Sequence, residues 1–125
     1  MKLRILQNSI RLRLTRSEVA RAGAGEVVEG RCAFTPDVAH TLRYQLVPSP
    51  DVQQLEARFA EGLITILAAT SLVERWARSD AEVGMSWGGD AEGAGVAILV
   101  EKDFSCLKPR EGGEDLDTFP NPAAD

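Results

Sequence analysis

Two short stretches at the start of the chain alternate apolar and polar residues. Lys2-Leu3-Arg4-Ile5-Leu6 and Ile10-Arg11-Leu12-Arg13-Leu14 both have period two, the period of a strand with one buried face. Leu3 and Ile5, with Ile10, Leu12 and Leu14, then point inward, while Arg4, Arg11 and Arg13 share the other side. Gln7-Asn8-Ser9 is a short polar link, and Asn tolerates positive φ, so the two strands read as a hairpin. Thr15-Arg16-Ser17-Glu18 has the capping-box form and predicts a short helix to about Ala22, stopped by Gly23 and Gly25. Strands are expected at Glu26–Phe34 and Thr41–Val47. Pro36-Asp37 turns the chain between them, and Pro48-Ser49-Pro50 ends the second.

The second half follows the same plan. Leu55–Ala60 and Leu63–Ala68 read as strands around a tight Glu61-Gly62 turn. Ser71-Leu72-Val73-Glu74 is a second capping-box candidate. It opens a helix to about Arg78 with Leu72, Val73 and Trp76 on its apolar stripe. Val83–Trp87 and Val96–Glu101 are strands, joined by a glycine-rich loop over residues 88–95. Sliding the chain by 54 residues sets Ile10 on Ile64, Leu12 on Ile66, Ser17 on Ser71 and Val19 on Val73. A two-residue insertion after the helix then sets Leu42 on Ile98 and Tyr44 on Val100. The pattern predicts an α+β fold: about eight mainly antiparallel strands and two short helices in a duplicated ββαββ unit. A closed or half-closed barrel is the expected form, with one open sheet as the alternative. The domain is expected over residues 1–104, with pseudo-repeats 1–50 and 51–104. Residues 105–125, rich in Pro, Gly and acids, read as an irregular tail in which Phe119 is the large anchor.

The 125 residues are 44% hydrophobic and 26% charged, which is enough for one core and excludes a disordered chain. No apolar run reaches the roughly 18–20 residues of a membrane helix. The start shows no secretory signal, and two cysteines form no disulfide framework, so a cytoplasmic location is expected. The net charge of −5 is split unevenly. Residues 1–50 hold eight Lys/Arg against four Asp/Glu, and residues 51–125 hold six against fifteen. An acidic chain is a poor general binder of nucleic acid, although a local basic face still attracts a small anion.

Residues 1–19, from Met1-Lys2-Leu3-Arg4-Ile5 through Val19, together with Leu99–Arg110 and the Phe119-Pro120-Asn121-Pro122 close, resemble a family of small bacterial proteins of unknown function. The resemblance implies a bacterial cytosolic protein and supplies no activity and no catalytic residue.

Candidate chemistry is sparse. Arg4, Arg11, Arg13 and Arg43 would form an anion site if they lined a closed barrel, where planar guanidinium forks hold phosphate oxygens. Such a barrel is similar to the triphosphate tunnel enzymes, but their Glu-x-Glu-x-Lys signature is absent here. The plainer reading makes these arginines the solvated face of strands whose Leu/Ile side is the core. Glu101, Asp103 and Cys106 form a possible reactive or ligand group. The alternative is that Cys106 and Cys32 are small buried hydrophobes. His40 is the one histidine and reads as a partly exposed strand-end residue. Asp90 and Glu92 lie on the glycine loop, which fits no nucleotide fingerprint. Trp76 belongs to the core, and Trp87 is a candidate contact residue. No metal and no cofactor are called for. The sequence favours a non-catalytic binding or interaction module with a protein partner, a second copy of itself or a small anion. The alternative is an enzyme acting on a polyphosphate or other phosphorylated substrate inside an Arg-lined barrel.

Overall fold

A computed structural model of the chain describes residues 1–88, 95–104, 117 and 119. The order of elements is β1 (Lys2–Leu6), β2 (Ser9–Leu14), α1 (Arg16–Gly23), β3 (Val28–Ala33), a 3₁₀ turn (Val38–His40), β4 (Thr41–Ser49), β5 (Leu55–Ala60), β6 (Leu63–Ala69), α2 (Thr70–Arg78), β7 (Gly84–Trp87) and β8 (Ala97–Lys102). Eight strands and two helices in this order make the fold α+β.

The strands divide between two four-stranded sheets and do not close into one barrel. Sheet A has the order β1-β2-β8-β7 and sheet B the order β3-β4-β6-β5. Each sheet joins a hairpin from one half of the chain to a hairpin from the other. The central pairs, β2 with β8 and β4 with β6, are parallel, and all the others are antiparallel. Partner pairs of sheet A recur in sheet B at an offset of 54 residues: Leu3–Leu12 against Ala57–Ile66, and Leu12–Val100 against Ile66–Leu46. β4 therefore takes no insertion, and Tyr44 corresponds to Ile98 rather than to Val100. The shift falls on β3 and β7 instead, where Val28–Leu46 matches Met85–Val100.

The core lies on the facing sides of the sheets. Leu12 and Leu14 of β2, Ile98 and Val100 of β8, Leu46 of β4 and Ile64 and Ile66 of β6 are buried there, as alternation requires. The helices lie against each other, and each contacts strands of both sheets. Val19, Ala22, Val73 and Trp76 seal the core from the helix side. Trp76 is fully buried, and its indole Nε1 donates to the Val83 carbonyl at 3.2 Å.

Several local expectations change. Thr15 does cap α1, accepting from the Glu18 amide while Glu18 reaches back to the Thr15 N–H at 2.9 Å. Ser71 does not cap α2: the helix begins at Thr70, one residue before it, and Ala69 is the N-cap with no side-chain bond. In the first hairpin the positive φ of 49° falls on Gln7, not Asn8. Asn8 is held instead by residues of the β8 approach: its Nδ2 donates to the Gly95 carbonyl and its backbone carbonyl accepts from the Ala97 amide. Ile5 stands on the inner side of sheet A but is 55% exposed, because the sheets part at that end. Leu3 is half-buried against the core. Cys32 is exposed rather than buried, since the far end of β3 projects beyond the core.

Candidate functional site

The outer face of sheet A is the most distinctive surface among the described residues. Alternation turns Lys2 and Arg4 of β1 and Arg11 and Arg13 of β2 to that side. The hairpin register then opposes like charges directly, Lys2 to Arg13 and Arg4 to Arg11. Such pairs cost stability on an antiparallel ribbon. Among the described residues two acids from the far half of the chain partly offset them: Asp103 pairs with Lys2, and Glu101 lies between the arginines. The parallel register sets Glu101 of β8 beside Arg13, and its Oε1 lies 2.6 Å from the Arg13 Nε and 3.6 Å from the Arg11 Nε. Both contacts use Nε, so the outer guanidinium nitrogens stay available as donors. Arg4 has no ion-pair partner among the described residues.

Arg43 is not part of this group. It lies on the outer side of sheet B, opposite Arg31 on β3. The four arginines of the anticipated clamp are thus shared between two sheets and line no common chamber. Arg58 pairs with Glu56 at 2.7 Å on the same strand.

Glu101 and Asp103 separate as well. Glu101 joins the arginine face, whereas Asp103 is 2% exposed and bonds to Lys2 Nζ through Oδ2 at 3.2 Å. Cys106, Asp90 and Glu92 lie outside the described residues. His40 ends the 3₁₀ turn and is exposed, with Nδ1 2.7 Å from the Thr35 hydroxyl. Trp87 is half-buried at the end of β7. Among the described residues no three His, Cys, Asp or Glu side chains gather as a metal group would require.

Contacts between residues far apart in sequence tie the two ends of the chain together, with Phe119, the expected anchor of the tail, among them. Lys102 continues the buried row of Ile98 and Val100. Its Nζ donates to the Ser79 carbonyl at 2.6 Å and lies 5.3 Å from the Phe119 ring centre and 6.0 Å from that of Trp76. Burial lowers its pKa, and the charges of Asp80 and Glu82 oppose that fall. Phe119 donates its amide to the Asp103 carbonyl and stacks near Phe104. Asp117 caps α1 from outside, accepting from the Ser17 hydroxyl at 2.6 Å. That bond holds its carboxyl below the usual value. The Met1 amino group pairs with Glu18 at 2.7 Å. These contacts join residues up to a hundred positions apart, so no local pattern announces them. The alternation that put Arg4 on the outer side also included Lys2, and that signal was available.

A second feature lies between the sheets, at the ends of β2 and β6 away from the helices. Ile5, Ile10, Ala57, Phe59, Ile64 and Val96 line an apolar cavity of about 360 Å³. Ile5 and Phe59, 55% and 70% exposed, stand at its mouth. They occupy corresponding positions on β1 and β5.

The chain belongs to a family of unknown function, DUF7009, whose pattern it matches over residues 1–123. No curated protein and no solved structure matches it. Among the described residues no helix is long and apolar enough to cross a membrane.

Proposed function

We propose that this protein is a non-catalytic interaction module whose contact surface is the cationic outer face of β1 and β2. One observation carries this reading: Lys2, Arg4, Arg11 and Arg13 stand in two directly opposed like-charge pairs, and among the described residues only Asp103, at Lys2, and Glu101, between Arg11 and Arg13, answer four cations, leaving Arg4 without an ion-pair partner. A fold selected for stability alone would alternate the signs, so the arrangement suits a partner that brings the missing anions. The face is the outer side of a sheet and not a chamber, which favours an acidic protein surface over an enclosed small substrate. The polyphosphate-enzyme alternative has less support, because it needs the arginines to converge in a concave site. The common offset of the strand pairings further supports reading residues 1–50 and 51–104 as copies of one ββαββ unit, in which only the first copy carries the cations.

The test uses a labelled oligoglutamate peptide and fluorescence anisotropy. Binding should weaken steeply with salt and disappear in a Arg4→Glu, Arg11→Glu, Arg13→Glu triple variant. Arg58→Glu, at the position on β5 that corresponds to Arg4, should leave it unchanged. Binding that survives the triple variant overturns the assignment of the face. Thermal shift with triphosphate, pyrophosphate and Mg²⁺ checks the alternative, since a ligand of the native state raises Tm.

A further inference from the structure

We infer that the partner is an extended acidic segment that adds to sheet A as a fifth strand along β1. Its residues would alternate acidic and apolar. This deepens the proposed function and rests on it. β1 is an outer strand of sheet A, so one side of its backbone has no strand partner among the described residues. The hairpin turn fixes which groups face that side. Leu6 and Ser9 close a two-residue loop and exchange both backbone bonds, and bonded pairs then alternate along the ribbon. Lys2, Arg4 and Leu6 therefore bond inward to β2, and Leu3 and Ile5 turn their N–H and C=O groups outward. Met1 shares their parity, and its carbonyl accepts the Tyr44 hydroxyl at 3.1 Å. Tyr44 thus bounds the open edge at its start, and among the described residues no further backbone bond takes up the outward groups of Leu3 and Ile5.

A strand added there meets two chemistries at a period of two. Its outward side chains come beside Lys2 and Arg4, next to Arg11 and Arg13, where carboxylates supply the negative charge that Asp103 and Glu101 leave short, above all at Arg4. Its inward side chains come beside Leu3 and Ile5 and reach the mouth of the apolar cavity under Phe59. Covering Ile5 and Phe59 there removes exposed apolar surface from water. Main-chain bonds supply affinity, and the alternation supplies specificity.

The other edges fit such a segment less well. On β5 the positions of Lys2 and Arg4 are held by Glu56 and Arg58, which neutralise each other. On β3 the inner position Gly30 is already covered by the Tyr44 ring. β7 has only four residues. A second copy of this chain adding its own β1 would set cations against cations.

The probes are four labelled peptides of glutamate and valine in equal number: the residues strictly alternating, the same residues in two blocks, and the alternating peptide N-methylated either at its glutamates or at its valines. The alternating peptide should bind about tenfold or more tighter than the block peptide: both offer the same backbone groups, but only the alternating one sets carboxylates beside Lys2 and Arg4 and valines beside Leu3 and Ile5 at the same time. One of the two methylated forms should lose that advantage, because only one set of amides faces β1. Amide exchange at Leu3 and Ile5 should slow in the complex. Equal binding of alternating and block peptides overturns strand addition while leaving the cationic face intact. Failure of all peptides, oligoglutamate included, overturns both. A free chain that is already dimeric with Leu3 and Ile5 amides protected also overturns it.

Discussion

Sheets A and B share a strand plan and differ in what they show to solvent. At the positions where sheet A carries Lys2, Arg4, Arg11 and Arg13, sheet B carries Glu56, Arg58, Thr65 and Leu67, by the common register. On β5 and β6, the strands that correspond to β1 and β2, sheet B satisfies its outer face internally: Arg58 Nε donates to Glu56, and Gln45 Nε2 of β4 donates to the Thr65 hydroxyl at 3.0 Å, while its one opposed cation pair, Arg31 with Arg43, lies on β3 and β4. Sheet A leaves like charges opposed. The same backbone positions therefore tolerate a self-satisfied surface, and the fold does not require the cations. What a scaffold does not require and still bears at a cost in stability is a marker of use.

The inner faces differ too, and the largest predicted effect lies there. α2 places Trp76 where α1 places Ala22, and both are buried. Trp76→Ala should lower unfolding free energy by about 3–5 kcal/mol, measured by denaturant titration. A loss below about 1 kcal/mol would show that the helix layer is not part of the core. Next comes β3. Gly30 corresponds to Trp87 on β7, and a Cβ at Gly30 would stand 2.6 Å from the Tyr44 ring. Gly30→Ala should cost about 1–3 kcal/mol, and Tyr44→Ala in the same chain should make the pair cost less than the sum of the singles. Full additivity would refute the contact.

The outer faces give a smaller effect with opposite signs. Arg4→Glu sets a carboxylate against Arg11 and should stabilise the fold by roughly 0.2–1 kcal/mol. Arg58→Glu breaks the exposed pair with Glu56 and should cost at most about 1 kcal/mol. If Arg4→Glu destabilises, the strain assigned to the cationic face is wrong. The smallest effect concerns the tie between tail and helix. The Ser17 hydroxyl holds the Asp117 carboxyl below 3.8, so the unfolded chain takes up the proton first as pH falls. The contribution of Asp117 is present above that value and is lost as pH drops through the folded pKa. Asp117→Asn should flatten the acid limb of Tm against pH, and an unchanged limb would remove this role.

Much of the local structure was legible in the residues. The alternation around Arg4, Arg11 and Arg13 gave the correct outer side, and the Thr15–Glu18 box gave the start of α1. Ser71 misled because its spacing to Glu74 copies the box while the helix begins before it. Asn8 misled because it is held from the far half of the chain, its side chain by the Gly95 carbonyl and its backbone carbonyl by the Ala97 amide, and the positive φ falls on Gln7. The candidate site was half legible. Three arginines of one ribbon were grouped correctly, but Arg43 was joined to them through an assumed closed barrel. Lys102 and Asp117 stayed hidden because their partners lie far along the chain, whereas Lys2 was legible in the same alternation as Arg4.

Side-chain order by itself determined where strands and helices fall and which side of each strand is apolar, because period and capping act over a few residues. Tertiary structure alone decided that β8 lies beside β2 and β6 beside β4, interleaving the halves in two open sheets. Strand neighbours are joined by backbone hydrogen bonds, which every residue except proline offers alike. The choice among them is made by burial of the whole core, and it left β1 with an open edge.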